Sequence, residues 1–463
     1  MKYIYVLSAL PVIFGLLSEE PTFIASASML VGFGYAAIEV MHAREGRMSA
    51  LMLMAFFCGI AGTADLVGYF CNGTKWERDF FIYVNPDYLL KAQTLWYVGT
   101  LAMIGGYTWM SRRDAAWWRS LPQIGARIRL DRLPHWIAVV AFCCTALLSR
   151  GVDFGGSAFG DAFRMAPSMA AFYLARLGTE SRVNRVLFLG VLVALFDSTR
   201  AVLYLYMRFA MVFPFLAVAL GVLTGSRSFR RLWSPTLIPI VLAIAIMAPY
   251  TGVFATARQN LPTGPERIIQ LTAMRAEASS GWIATLARFT TYNQTTQVMS
   301  LADREGFLMG ETLSYLTYAF IPRAIWPSKP VIAQGQWFAQ KLGLGSFLSG
   351  STGFSNSINM TLPGELYLNF GWPGVVVGCF VVGGFVSVLW RLCGFWARGT
   401  DLLSTLFGFR LLWGAWVLLN DIQNVVTLTA YYVLFVAIGW ALRHLKVASR
   451  TFPSGEKRIG AEA

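Results

Sequence analysis

Long apolar stretches recur along the chain, separated by short connectors rich in arginine, and this alternation predicts a series of membrane-crossing helices. A helix rising ~1.5 Å per residue needs ~20 apolar residues to cross ~30 Å of hydrocarbon. The pattern places spans at 3–17, 23–41, 49–70, 89–110, 135–149, 166–177, 183–196, 201–224, 235–256, 373–390, 402–420 and 425–442. The fold class expected is an all-α polytopic membrane protein of about 12 (10–13) transmembrane helices. Its organisation reads as an N-terminal bundle of about nine spans at 1–256, one large loop at 257–372, three further spans at 373–442 and a basic tail at 443–463.

The loop carries its own pattern. Trp282, Ile283, Leu286, Phe289 and Asn293 fall on one side of a helix, with Arg288 turned away, which predicts an amphipathic helix along the membrane surface or over a cavity. A second apolar helix is expected at 307–320. It runs into Ile321-Pro322-Arg323-Ala324-Ile325-Trp326-Pro327-Ser328-Lys329-Pro330, where three prolines impose a stiff, extended backbone. The stretch 343–353 is rich in glycine and serine. No internal repeat is visible, which argues against a transporter built from inverted halves.

Composition agrees with the membrane class: 13% of residues are charged and 56% hydrophobic, where a soluble domain carries about a quarter charged. The net charge of +14 is scattered over many short connectors and forms no stripe with interleaved aromatics, so nucleic acid is not an expected partner. Lys2, Arg44 and Arg47, the stretch from Arg112 to Arg132, Arg176, Arg182, Arg185, Arg227, Arg230, Arg231, Arg391, Arg398 and the tail from Arg443 to Arg458 fall on one face if every span crosses. Positive charge marks the cytoplasmic side, so both termini are expected inside and the large loop outside. The first apolar stretch lacks a small-x-small cleavage site and reads as an uncleaved helix. Four of the six cysteines lie in apolar segments, and His42, His135 and His444 stand apart, each beside a basic connector. Neither disulfides nor a metal is expected, and no cofactor.

Charges inside spans cost at least ~2.5–3.5 kcal/mol each, so each needs a partner or a task. Arg200 and Arg208 share the run from Phe196 to Arg208, Arg208 lying two turns deeper and roughly 80° around. Together they would line one cavity and grip an anionic head group through bidentate forks. The structural alternative pairs Arg200 with Asp197, one turn before it. Asp65 and Lys91, near the outer ends of consecutive spans, are expected to form an ion pair. Arg410 either snorkels to the surface or completes the cavity. Asn420 and Asp421 lie at an outer turn where polar residues are ordinary. In the loop the candidate ligands are Arg258, Arg275, Arg288, Arg323, Lys329 and Glu365. The proline frame fixes Arg323 and Lys329, and Trp326 offers a flat face for a sugar ring. Glu365 is delivered to the membrane edge just before the tenth span, where a carboxylate in partly apolar surroundings can serve as a general base.

Three segments resemble one family. Ser198-Thr199-Arg200-Ala201, the proline-framed run at 321–330, and Pro363-Gly364-Glu365-Leu366-Tyr367-Leu368-Asn369-Phe370-Gly371-Trp372-Pro373-Gly374 are similar to the O-antigen and exopolysaccharide repeat-unit polymerases, the Wzy family. The layout of many spans with one large loop in the second half is similar too, and resembles that of metal-independent integral-membrane glycosyltransferases. The resemblance implies a bacterial inner-membrane enzyme that transfers a glycan from undecaprenyl diphosphate onto the sugar of an incoming lipid-linked unit. It implies catalytic roles for Glu365, Arg200 and Arg323. Substrate contacts are implied for Arg208, Arg258, Arg275, Arg288, Trp326, Lys329, Tyr367 and Asn369. Membrane lipids, a flippase and a chain-length regulator are the partners it implies. The related O-antigen ligases rely on a periplasmic histidine, which the topology above does not supply, and a lipid-linked oligosaccharide flippase or transporter is the other functional class the cations fit.

Overall fold

The computed structural model describes residues 2–43, 49–74, 77, 84–112, 121–122, 124, 158–204, 209–225, 266, 269–270, 283, 286–319, 321, 326–330, 334–343, 358–394, 402–417, 419 and 422–451. Among the described residues every regular element is helical. The helices are α1 (Lys2–Ser18), α2 (Pro21–Ala43), α3 (Ala50–Cys71), α4 (Leu89–Arg112), α5 (Ala158–Ser181), α6 (Asn184–Tyr204) and α7 (Phe209–Gly225). They continue with α8 (Tyr292–Glu305), α9 (Tyr315–Tyr318), α10 (Gln334–Lys341), α11 (Leu362–Cys393), α12 (Leu402–Val417) and α13 (Asn424–Thr451). Single 3₁₀ turns stand at Pro86–Tyr88, Ala287–Phe289 and Glu311–Leu313.

Among the described residues, five stretches are long and apolar enough to cross a membrane: Pro21–Glu39, Ala50–Cys71, Asn184–Leu203, Leu362–Cys393 and Asn424–Ala441. Large apolar side chains such as Leu17, Phe70 and Phe188 face outward, as expected of surfaces covered by lipid. The spans expected at 135–149 and 235–256, and most of the glycine-rich stretch, lie outside the described residues.

In hydrocarbon, helices gain little from hiding apolar surface, so close backbone packing has to hold them. Glycines provide it here. A Cβ on Gly32 would stand 2.2 Å from the Gly59 nitrogen, and one on Gly62 2.6 Å from the Met29 nitrogen, so α2 and α3 touch along their backbones. The α4–α11 contact is tighter: a Cβ on Gly106 would fall 1.9 Å from the Phe380 carbonyl oxygen, and one on Gly383 2.0 Å from that of Met103. Helices α5, α6 and α7 have their own core around Leu174, Leu187, Val193 and Val218. Phe172 and Phe213, with ring centroids 4.8 Å and 5.6 Å from Phe409, join that core to α12.

Several sequence expectations change. Helix α6 runs through Arg200 to Tyr204, so the break placed between 196 and 201 comes later. The polar turn does not end the helix because Asp197 takes both Arg200, three residues on, and the Ser168 hydroxyl of α5. Arg176, assigned to a connector, is buried in α5, where Nη1 donates to Thr405 Oγ1 at 3.3 Å. Arg410 is buried in α12 with its guanidinium carbon 4.9 Å from the centre of the Tyr431 ring, so it does not snorkel to a surface. Within the loop, Gly306 at φ 80° and Gly310 at φ 95° cut the helix expected at 307–320 down to one 3₁₀ turn and the single α-turn of α9. The amphipathic helix also breaks: Asn293 belongs to α8, which begins at Tyr292, whereas Phe289 lies in the preceding 3₁₀ turn.

Asp65 and Lys91 form no ion pair. Lys91 Nζ sits 5.6 Å over the Tyr88 ring, while the fully buried Asp65 carboxylate accepts from Thr291 N at 2.8 Å and Thr291 Oγ1 at 2.7 Å. A carboxylate of α3 therefore docks the start of α8. Beside it, burial holds the Tyr292 phenol above its usual range.

Two predictions follow from this packing. Gly106→Ala, forced against backbone, is expected to cost about 1–3 kcal/mol, whereas Gly105→Ala, whose Cβ would meet only a Phe380 ring carbon at 3.9 Å, is expected to be neutral. Equal thermal midpoints for the two variants in detergent would refute the backbone contact. Asp65→Ala leaves the Thr291 amide without its acceptor, worth about 1–3 kcal/mol, so amide exchange in α8 should quicken roughly 5- to 150-fold. Exchange by mass spectrometry that is unchanged in α8 would rule out the docking role.

Candidate functional site

The segment Thr361-Leu-Pro-Gly-Glu contains the signals of a helix start, and the helix begins there and not near Pro373. Every N–H of the first turn is accounted for. Leu362 N donates to Leu419 O at 2.9 Å, Pro363 has none to satisfy, Gly364 N donates to Thr361 Oγ1 at 3.2 Å and Glu365 N to Thr361 O at 2.9 Å. Glu365 stands in this turn, where the helix dipole favours a negative charge.

Helix α11 does not continue straight. At Gly371, with φ 64° and ψ −155°, the backbone leaves the helical region, and the arm 362–370 folds back beside the arm 372–393. In a straight helix Leu366 and Gly378 would be ~18 Å apart, yet a Cβ on Gly378 would meet the Leu366 side chain at 2.6 Å. Gly99 of α4 touches both arms, Pro363 at 2.8 Å and Cys379 at 3.4 Å from its would-be Cβ. The result is a helical hairpin whose longer arm alone spans ~30 Å. Glu365 lies six residues below the reversal, a depth of ~9 Å, so it enters the bundle and does not rest at its edge.

The loop closes over this hairpin. Leu308 N donates to Leu368 O and Met309 N to Asn369 O, each at 3.0 Å. The Asn369 side chain, with no exposed surface, accepts from Gly310 N at 3.0 Å through Oδ1. Its Nδ2 donates to Glu365 O at 2.8 Å and Thr312 Oγ1 at 2.7 Å. The Thr312 hydroxyl in turn donates to Glu365 Oε1 at 3.1 Å, and Thr312 O accepts from Gln334 Nε2 of α10 at 2.7 Å. Glu365 is 3% exposed. Tyr367 packs edge-to-face between Phe307 and Trp372, at 5.7 Å and 5.9 Å. At the rim, Tyr88 O–H donates to Asp303 Oδ2 at 2.6 Å, which holds that phenol above its usual range.

Of the residues singled out from sequence, Glu365, Tyr367 and Asn369 come together on the short arm. Trp326 and Lys329 belong to the loop next to α9: the Trp326 ring is 6.0 Å from Tyr318, and Lys329 Nζ donates to Ala319 O at 2.8 Å and Ile321 O at 3.0 Å. Lys329 thus fastens the proline-framed turn to α9. Arg200 belongs to the α5–α7 group, where Asp197 Oδ1 receives its Nη2 at 2.7 Å, the structural alternative weighed from sequence. Arg208, Arg258, Arg275, Arg323, Asn420 and Asp421 lie outside the described residues, as does the side chain of Arg288. Thr312 and Gln334 were not legible as site residues, since an isolated loop threonine or glutamine carries no spacing signal. No family model, curated protein or solved structure matches the chain.

Asn369→Leu keeps the branching and number of heavy atoms but strips Gly310 N of its acceptor and Thr312 of its donor, so a loss of about 1–3 kcal/mol is expected. Asn359→Leu, at an exposed position, is the control. Thermal unfolding that does not separate the two variants would remove Asn369 from its role.

Proposed function

We propose that the chain is a bacterial inner-membrane glycosyltransferase that polymerises oligosaccharide repeat units carried on undecaprenyl diphosphate. The observation that carries this reading is the Glu365 carboxylate, buried in the short arm of a helical hairpin and bonded through Thr312 to the loop that covers it. In the reaction, an acceptor hydroxyl oxygen forms a bond to the anomeric carbon of the donor. The bond from that carbon to the diphosphate breaks, and undecaprenyl diphosphate leaves with the electron pair. The acceptor proton goes to Glu365. A diphosphate is already a good leaving group, so the remaining task is to neutralise the charge developing on it and to align the two sugars.

Cations do the first part in this reading: Arg323 from the loop and Arg200 with Arg208 from the helices, with Trp326 stacking a sugar. Asp197 along one edge of Arg200 orients that guanidinium. The resemblance of the segments at 198–201, 321–330 and 363–374 to the Wzy family supports the substrate class.

Purified protein in nanodiscs, given a lipid-linked repeat unit, is expected to make a ladder of products. Glu365→Gln should lower its rate by roughly 10²–10⁴, the usual contribution of a general base, with expression unchanged, and Glu365→Asp should retain part of it. A full ladder from Glu365→Gln would end the general-base assignment. Full-length polymer from both Arg200→Ala and Arg323→Ala would end the clamp, and lipid-linked sugar crossing vesicles with no ladder would identify a flippase instead.

A further inference from the structure

The loop residues that close the hairpin also present an apolar surface that the reaction does not use. Between Gly306 and Gly310 the chain makes a knuckle with three positive φ angles, 80° at Gly306, 49° at Met309 and 95° at Gly310. A non-glycine residue rarely adopts that conformation; Met309 is held in it by the hydrogen bond its N–H donates to Asn369 O. The consequence is that Met309 points outward, 77% exposed, beside Phe307 at 50%. Knuckle and hairpin tip form one surface: a Cβ on Gly310 would meet Phe370 Cζ at 3.3 Å, and one on Gly371 would meet Phe307 Cζ at 3.0 Å. Phe370 and Trp372 at that tip are exposed too.

We infer that this knuckle, with Phe370 and Trp372, dips into the bilayer of the membrane the chain crosses and anchors the loop there. Three features commit the patch to lipid. First, it continues without a break into the exposed stripe of the spanning arm: Trp372 and Val376 are one turn apart, and Val377 and Val381 follow below. That stripe belongs to a helix long and apolar enough to cross the membrane, so lipid covers it, and the knuckle extends the covered surface upward. Second, the knuckle itself contains no charge, whereas Asp303, Arg304 and Glu305 immediately before it and Glu311 immediately after it are exposed. Charges on both flanks of a short apolar insertion set its depth at the head groups. Third, tryptophan next to phenylalanine at the end of a span is the composition of a membrane–water interface. The anchor is independent of the reaction proposed above.

Benzoylphenylalanine placed at position 309 of the full-length chain in native membranes tests the anchor on irradiation, because the replaced side chain touches no core. Position 377 on the spanning arm is the lipid-facing reference and position 317, an exposed loop threonine, the aqueous one. Lipid adducts at 309 in the yield found at 377, and absent at 317, are expected. Chain-to-chain adducts at 309 would make the patch an interface between copies, and a yield as low as at 317 would place it in water; either result overturns the anchor.

Discussion

A helix that reverses leaves carbonyls without partners, and those the loop covers must be bonded by the loop, since a buried carbonyl left open is costly. At Gly371 the carbonyls left open include those of Leu368 and Asn369. The second has no remedy within the helix, because the residue four positions on is Pro373, which carries no N–H. The Leu308 and Met309 amides supply both bonds from the loop. Reversal and loop docking are therefore one constraint, and neither is stable without the other. A hairpin without the knuckle would bury two open acceptors, and a knuckle without the hairpin would have no reason to adopt its strained backbone.

That constraint places the rest. The knuckle is the C-terminal fastening of α8, and the Asp65–Thr291 pair is its N-terminal fastening, so the helix is clamped to the bundle at both ends. The α4–α11 glycine contacts act from the other side: with backbones this close, the long arm cannot slide against α4, and Gly99 holds both arms at one level. Thr312 follows the knuckle by two residues, which brings it over Glu365. A carboxylate ~9 Å deep thus owes its neighbours to a backbone requirement at the surface above it.

The apolar alternation made the helical membrane class legible, and the helices α2, α3, α6, α11 and α13 answer to it. The hairpin was missed for a physical reason. Hydrophobic periodicity reports which residues avoid water, and both arms of a hairpin within a membrane avoid it equally. Local chemistry did carry the signal, in Thr361 two residues before Pro363 and in Gly371 two residues before Pro373. Asp65 shows the opposite failure: the expected partner was Lys91, at the outer end of the next span, whereas the neutral Thr291, far along the chain, meets it. Neutral donors that satisfy a buried carboxylate can come from anywhere, and nothing in their spacing announces it. Glu365 and Asn369 were found because they share one helix with the motif; Thr312 and Gln334 were not, because they arrive from separate loop elements.

The direction of the hydrogen bonds around Glu365 can be read from the backbone outward. Gly310 N can only donate, so the Asn369 atom facing it is the oxygen, and the amide nitrogen must face Thr312 and Glu365 O. That nitrogen can only donate, so the Thr312 oxygen accepts from it. The Thr312 proton is then left to point at Glu365 Oε1. A main-chain N–H at the knuckle in this way makes Glu365 Oε1 an acceptor toward the loop. Were the chain of donors reversed, the same residues at the same distances would favour a protonated acid. The knuckle thus sets the polarity of the hydrogen bonds around Glu365 as well as the position of their donors.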